Sequence, residues 1–130
     1  HNLTLIGHGK KIYNVADNVK LLQPISQTNE LIKTYDAHNI TILPSYTEGH
    51  PQVLLESLAR MRPVIISDEI SHVKKDYSGV FVSKRNYQNL EETIKNIMEN
   101  YKEIAQSMKD NNLPKKEEFV RKLADILIDS

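Results

Sequence analysis

Short apolar runs, several of them β-branched, recur through the first two-thirds of the chain. They are "LTLIG" (Leu3–Gly7), "VKLL" (Val19–Leu22), "NITILP" (Asn39–Pro44), "PVIIS" (Pro63–Ser67) and "GVFVS" (Gly79–Ser83). Each is short and ends at or near Gly, Pro or Ser, the pattern of a β-strand. "PVIIS" shows no apolar–polar alternation and predicts a strand buried on both faces. Helical periodicity fills the spaces between. "SQTNELIKTYDAH" opens with Ser26 or Thr28 as a capping residue and carries Glu30 in its first turn. "PQVLLESLARM" places Pro51 at the first helical position, with Val53, Leu54, Leu58, Ala59 and Met61 at roughly helical spacing. From Asn89 to Asn111 one stripe, Leu90, Ile94, Ile97, Met98, Tyr101, Ile104 and Met108, predicts one long helix. "KKEEFVRKLADILI" repeats that pattern near the end, beyond the break "NNLPKK". Strands alternating with helices predict an α/β fold: a Rossmann-like parallel sheet in three layers, helices on both faces, with a helical C-terminal third. Residues 1–130 read as a single domain, since too little chain follows the break to fold alone.

Composition narrows the function more than the fold. Lys plus Arg and Asp plus Glu stand at 17 each, so charge gives no support to non-specific nucleic-acid binding. The chain has no cysteine, which removes disulfides, thiolate metal sites and a cysteine nucleophile. No apolar run approaches the ~20 residues of a membrane-spanning helix. The five histidines, at 1, 8, 38, 50 and 72, lack metal-ligand spacing. "GHGKK" carries a Gly-x-Gly after a strand but not the third glycine of a dinucleotide fingerprint, so a plain turn is expected there.

In a parallel open sheet, ligands bind beyond the carboxyl ends of the strands. "PSYTEGHP" is the loop that leaves the third strand and enters a helix at Pro51. A helix N-terminus offers unpaired amides and partial positive charge to a phosphate. Gly49 permits a sharp bend beside a ligand. Glu48 stands at the mouth of this loop and Glu56 on the second helical turn, where the two carboxylates can frame one ligand. A buried carboxylate needs donors, which sugar hydroxyls supply. Periodicity alone favours the alternative, in which both glutamates are solvated. Tyr35, Tyr77 and Tyr87 read as packing or surface residues rather than stacking platforms.

The contiguous stretch "PSYTEGHPQVLLESLARMRPVIISD" resembles the signature of retaining nucleotide-sugar glycosyltransferases of the GT-B class (group 1, or family 4-like), in which two glutamates are separated by seven residues as Glu48 and Glu56 are. Weaker agreement covers most of Leu3 to Asn111. The resemblance implies the C-terminal, donor-binding half of a two-domain enzyme. It implies that Glu48 contacts the transferred sugar and is the catalytic-site glutamate, and that Glu56 bonds the ribose hydroxyls. Backbone amides around Gly49, His50, Gln52 and Val53 would face the diphosphate and sugar. Ile25 would lie beside the base, with Gln27 close by. The donor is then a nucleoside-diphosphate sugar, with no cofactor and no metal. The acceptor is a glycan, lipid or polysaccharide, and an N-terminal acceptor-binding domain of the same parent chain is the missing partner. The resemblance implies no nucleic-acid partner and no membrane span. It places the protein in the cytoplasm, the parent at the cytoplasmic face of a membrane, and polysaccharide biosynthesis as a role. The fragment alone would be inactive.

Several residues depart from that pattern. His50-Pro51 replaces a Phe-Gly pair, and proline removes an amide donor. Arg62 is expected to occupy a glycine position in the turn Ala59–Pro63, and "SDEISH" lacks paired glycines. The strand, arginine and lysine with which such domains begin are not found before Leu3. A nucleotide-sugar epimerase of the same architecture and a non-catalytic Rossmann-like module remain the alternative readings.

Overall fold

The computed structural model describes residues 2–6, 18–22, 25–44 and 52–113. Five strands form: β1 (Leu3–Ile6), β2 (Val19–Leu22), β3 (Thr41–Leu43), β4 (Val64–Ser67) and β5 (Val80–Ser83). All pair in parallel. β1 runs beside β2, and β3-β4-β5 form a second sheet with Ile42, Ile65 and Phe81 in register. The helices among the described residues are α1 (Thr28–Asp36), α2 (Gln52–Ala59), α3 (Tyr87–Glu99) and α4 (Tyr101–Met108), plus a 3-10 segment at Asp68–Lys74. This is the Rossmann-like α/β arrangement that the alternation predicts, parallel strands with helices around them.

β4 is the centre. All four of its residues are buried, and its continuous apolar run is what a strand covered on both faces requires. Leu54 and Leu58 of α2, Ile70 and Val73 of the 3-10 segment, Val80 and Met108 close the core around Val64 and Ile66. Ile70, where this segment kinks (φ −113°, ψ 24°), and Val73 are both buried, so the stretch after β4 is an element packed on the core.

Two details correct the sequence reading. The stripe from Leu90 to Met108 is divided at Asn100, whose backbone is not helical (φ −114°, ψ 21°). Its amide side chain donates to the Asn96 carbonyl at 2.9 Å and to Asn96 Oδ1 at 3.0 Å, a local bond that competes with the helical ladder. At α1 the cap is Gln27, without a side-chain cap bond, rather than Ser26 or Thr28. The helix predicted from Lys115 to Ile128 lies outside the described residues, as does the "GHGKK" turn.

The turn after α2 holds a third difference. The left-handed residue is Met61 (φ 59°), not Arg62. Arg62 instead spreads its guanidinium over the carbonyls of Tyr35 (3.2 Å), Arg60 (3.3 Å) and Asp36 (2.9 Å), so it satisfies acceptors at the C-terminus of α1. Ser57, buried on α2, donates its hydroxyl to the Arg62 carbonyl at 2.9 Å and lies 2.7 Å from the Thr41 hydroxyl. A left-handed L-residue costs about 1–2 kcal/mol, and glycine relieves it. Met61 also packs against the core, so the informative comparison is between two truncations. Met61→Gly is expected to be about 1 kcal/mol more stable than Met61→Ala in urea denaturation, the reverse of their usual order.

Candidate functional site

α2 starts beyond the carboxyl end of β3, the ligand side of a parallel sheet. Gln52 and Val53 open the helix, so their amides have no partner within it. Gln52 Oε1 is buried with no hydrogen-bond partner among the described residues, and Val53 is exposed. Glu56 follows one turn later, about 6 Å down the axis. It is only 7% exposed, which overturns the solvated reading that periodicity favoured. The reason is packing. α2 lies against both β3 and β4, and Leu54, Ser57 and Leu58 are buried with Glu56, so little of the helix is left to face water.

The buried carboxylate has a specific partner. The Tyr35 hydroxyl of α1 donates to Glu56 Oε2 at 2.7 Å. Side chains on a helix lean toward its N-terminus. A tyrosine in the last turn of α1 leans back along the helix in this way, and its hydroxyl meets Glu56. Burial raises the Glu56 carboxyl above the ordinary carboxylate range, and the Tyr35 bond opposes this. Burial pushes the Tyr35 hydroxyl well above the usual phenol range, and the Glu56 charge and hydrogen bond add to it. The tyrosine is a donor throughout the physiological range.

Sequence reasoning took Tyr35 for a packing or surface residue. The signal that identifies it is the apolar face it shares with Leu31 and Ile32, four and three positions earlier. A tyrosine turned inward brings a hydroxyl that must find an acceptor.

The end of α1 is tied to α2 at further points. Arg60 grips Asp36 with two bonds, Nε to Oδ1 at 2.9 Å and Nη2 to Oδ2, and that pairing holds the Asp36 carboxyl below its ordinary range. The pair is exposed and contributes little stability by itself. His38 connects the same corner to β1. Its Nδ1 lies 2.7 Å from the Thr34 carbonyl and must donate there, so in the neutral ring Nε2 accepts from the Thr4 hydroxyl at 2.6 Å. His38 is structural.

Glu48, Gly49 and His50 lie outside the described residues. Ile25 is half-buried and Gln27 exposed, both just before α1, and no hydrogen bond among the described residues links either to Glu56. Among the described residues the structure joins Glu56 to Tyr35. A cleft of about 240 Å³ opens at the carboxyl ends of β3, β4 and β5, with Pro44, Ser67, Ser83 and Arg85 on its wall. Arg85 crosses it, donating to the Pro44 carbonyl at 2.7 Å and to Glu69 at 3.0 Å. A larger groove of about 580 Å³ lies between Met61 and the α3–α4 elbow. It is at the amino end of the strands, away from the loops where parallel sheets bind ligands. Among the described residues no group of three His, Cys, Asp or Glu is placed to hold a metal, and no helix is long and apolar enough to cross a membrane.

A parallel α/β sheet with a helix starting at its carboxyl edge, and a carboxylate buried one turn inside that helix, places the chain in the Rossmann-like class. The chain belongs to the glycosyl transferases group 1 family, whose model matches residues 8–128. It is similar to an uncharacterized glycosyltransferase of Haemophilus influenzae (strain ATCC 51907 / DSM 11121 / KW20 / Rd), 27% identical over 129 residues that cover 91% of this chain and 36% of the relative. The chain therefore spans about a third of that relative's length.

Proposed function

We propose that this chain is the donor-binding domain of a retaining GT-B glycosyltransferase, which transfers a sugar from a nucleoside diphosphate to a glycan, lipid or polysaccharide acceptor. The observation that carries the reading is the burial of Glu56 on α2 beside a tyrosine donor. A carboxylate held there, away from water, is costly unless hydroxyl donors complete its shell, and ribose hydroxyls are such donors. Glu48, eight positions earlier, positions the transferred sugar. The amides that open α2 face the diphosphate, and the helix dipole stabilises charge on the leaving group without a metal. Ile25 and Gln27 border the base.

The acceptor is bound by a separate domain of the parent chain. Without that domain 1–130 is inactive, because closure of the cleft brings donor and acceptor together. The assembled enzyme works in the cytoplasm.

The test is an NMR titration of the full-length protein with UDP, GDP and ADP. Shifts clustered at Ile25, Gln27, Gln52, Val53 and Glu56 are expected, with the preferred base giving saturation at the lowest concentration. Product from the matching nucleotide sugar should keep the donor's anomeric configuration. A full-length protein that stays silent at millimolar concentrations of all three nucleotides would sink the reading.

A further inference from the structure

Glu56 has one oxygen engaged by Tyr35 and no partner for Oε1 among the described residues. The basic groups nearest in sequence are committed elsewhere. Arg60, four positions on and the usual helical partner for a glutamate, is held by Asp36 of α1. Arg62 is spent on the carbonyls of Tyr35, Asp36 and Arg60. The carboxylate is thus fixed by a neutral donor on one oxygen, while the cations that would neutralise it are drawn away. Such an arrangement orients a carboxylate and keeps it available as an acceptor.

We propose that Tyr35 is a positioning residue for nucleotide recognition: its hydroxyl holds Oε2 of Glu56 so that Oε1 is presented to the ribose of the bound nucleoside diphosphate. The inference rests on the reading of Glu56 as the ribose acceptor. Tyr35 does not touch the ligand. It removes the freedom of a two- to three-torsion side chain before binding, so less is lost when the ribose docks. Fixing the carboxylate also sharpens selection for ribose, because a site built to pair with a hydroxyl loses most when the hydroxyl is absent.

The experiment measures calorimetric dissociation constants of the full-length protein for UDP, GDP and ADP and for their 2′-deoxy counterparts. The unmodified protein is expected to bind its preferred ribonucleotide at least about 10-fold more tightly than the deoxy form. Glu56→Ala should bring the two within about twofold, since the acceptor itself is gone. Tyr35→Phe keeps the ring and its packing. It should reduce the discrimination to about two- to threefold, with the loss of transfer activity falling on the donor KM more than on kcat. Full discrimination retained in Tyr35→Phe but lost in Glu56→Ala overturns the role of Tyr35 and leaves Glu56 standing. Discrimination unchanged in Glu56→Ala overturns the ribose reading itself, and the Tyr35 inference with it. Thermal unfolding of both variants, followed alongside, separates these outcomes from loss of the fold.

Discussion

Gly79→Ala is expected to destabilise the fold by about 3 kcal/mol, the sum of a backbone cost of about 1–2 and an overpacking cost of about 1–3. Gly79 enters β5 at φ 90°, a conformation that L-residues rarely adopt. A Cβ placed there would sit 2.6 Å from Met108 Sδ and 2.7 Å from its Cγ. A methionine usually yields to such a contact. Met108 is only 2% exposed, however, and belongs to the same core cluster as Val64, Val80 and Ile70, so its rotamers are enclosed. The backbone cannot retreat either. The Gly79 carbonyl accepts from Val64 N at 2.8 Å, and Asn111 brackets the preceding residue, its Oδ1 accepting from Ser78 N and its Nδ2 donating to the Ser78 carbonyl, both at 2.8 Å. Urea denaturation should show a lowered midpoint at an unchanged slope. The double variant Gly79→Ala, Met108→Ala separates the two costs. It should be about 1–2 kcal/mol more stable than the sum of the single changes implies, because the steric part vanishes while the backbone part stays. Additivity would mean that the backbone alone carries the effect.

Gly79 illustrates what is legible in a sequence of this kind. That a glycine precedes "VFVS" is plain, but the methionine it must accommodate lies 29 positions away, on another element. β4 is readable because burial on both faces leaves a continuous apolar run, and β2 matches its predicted span, Val19–Leu22. The α1 and α2 patterns were readable for the same local reason, to within a few residues. What the pattern could not decide is where the chain's own polar groups settle. Asn100 interrupts an unbroken apolar stripe through a bond to Asn96. The left-handed residue in the turn after α2 is Met61, because Arg62 and Ser57 pin the neighbouring backbone to α1 and β3. Glu56 stands out through the seven-residue separation of the resemblance, while periodicity favours a solvated carboxylate; its burial comes from α2 packing against two strands. Tyr35 was overlooked because its role depends on a partner 21 positions away.

Glu56 should reveal itself by opposite effects on stability and binding. Its folded-state pKa is raised by burial above the unfolded value. The folded state therefore binds this proton more tightly, so the contribution of Glu56 to stability is complete below the ordinary carboxylate range and is lost as pH rises through the raised pKa. Glu56→Gln removes the titration while the amide oxygen still accepts from Tyr35. At neutral pH the Gln variant should unfold at higher urea than the parent, and the advantage should disappear as the pH falls below the unfolded carboxylate range. Nucleotide affinity should move the other way. Hydrogen bonds to a charged acceptor are worth about 1.5–3 kcal/mol, so Glu56→Ala should weaken the preferred nucleoside diphosphate by about 10- to 100-fold. In the parent, affinity should fall as pH drops through the raised carboxyl pKa, the range over which stability is regained. Calorimetric titrations at several pH values, beside urea curves at the same values, test both halves. Stabilisation in Glu56→Gln beside loss of ligand in Glu56→Ala marks a carboxylate kept in the core at a cost to the fold, as ligand sites commonly are. A variant that is less stable at every pH and binds nucleotide normally would make Glu56 a structural partner of Tyr35 and nothing more.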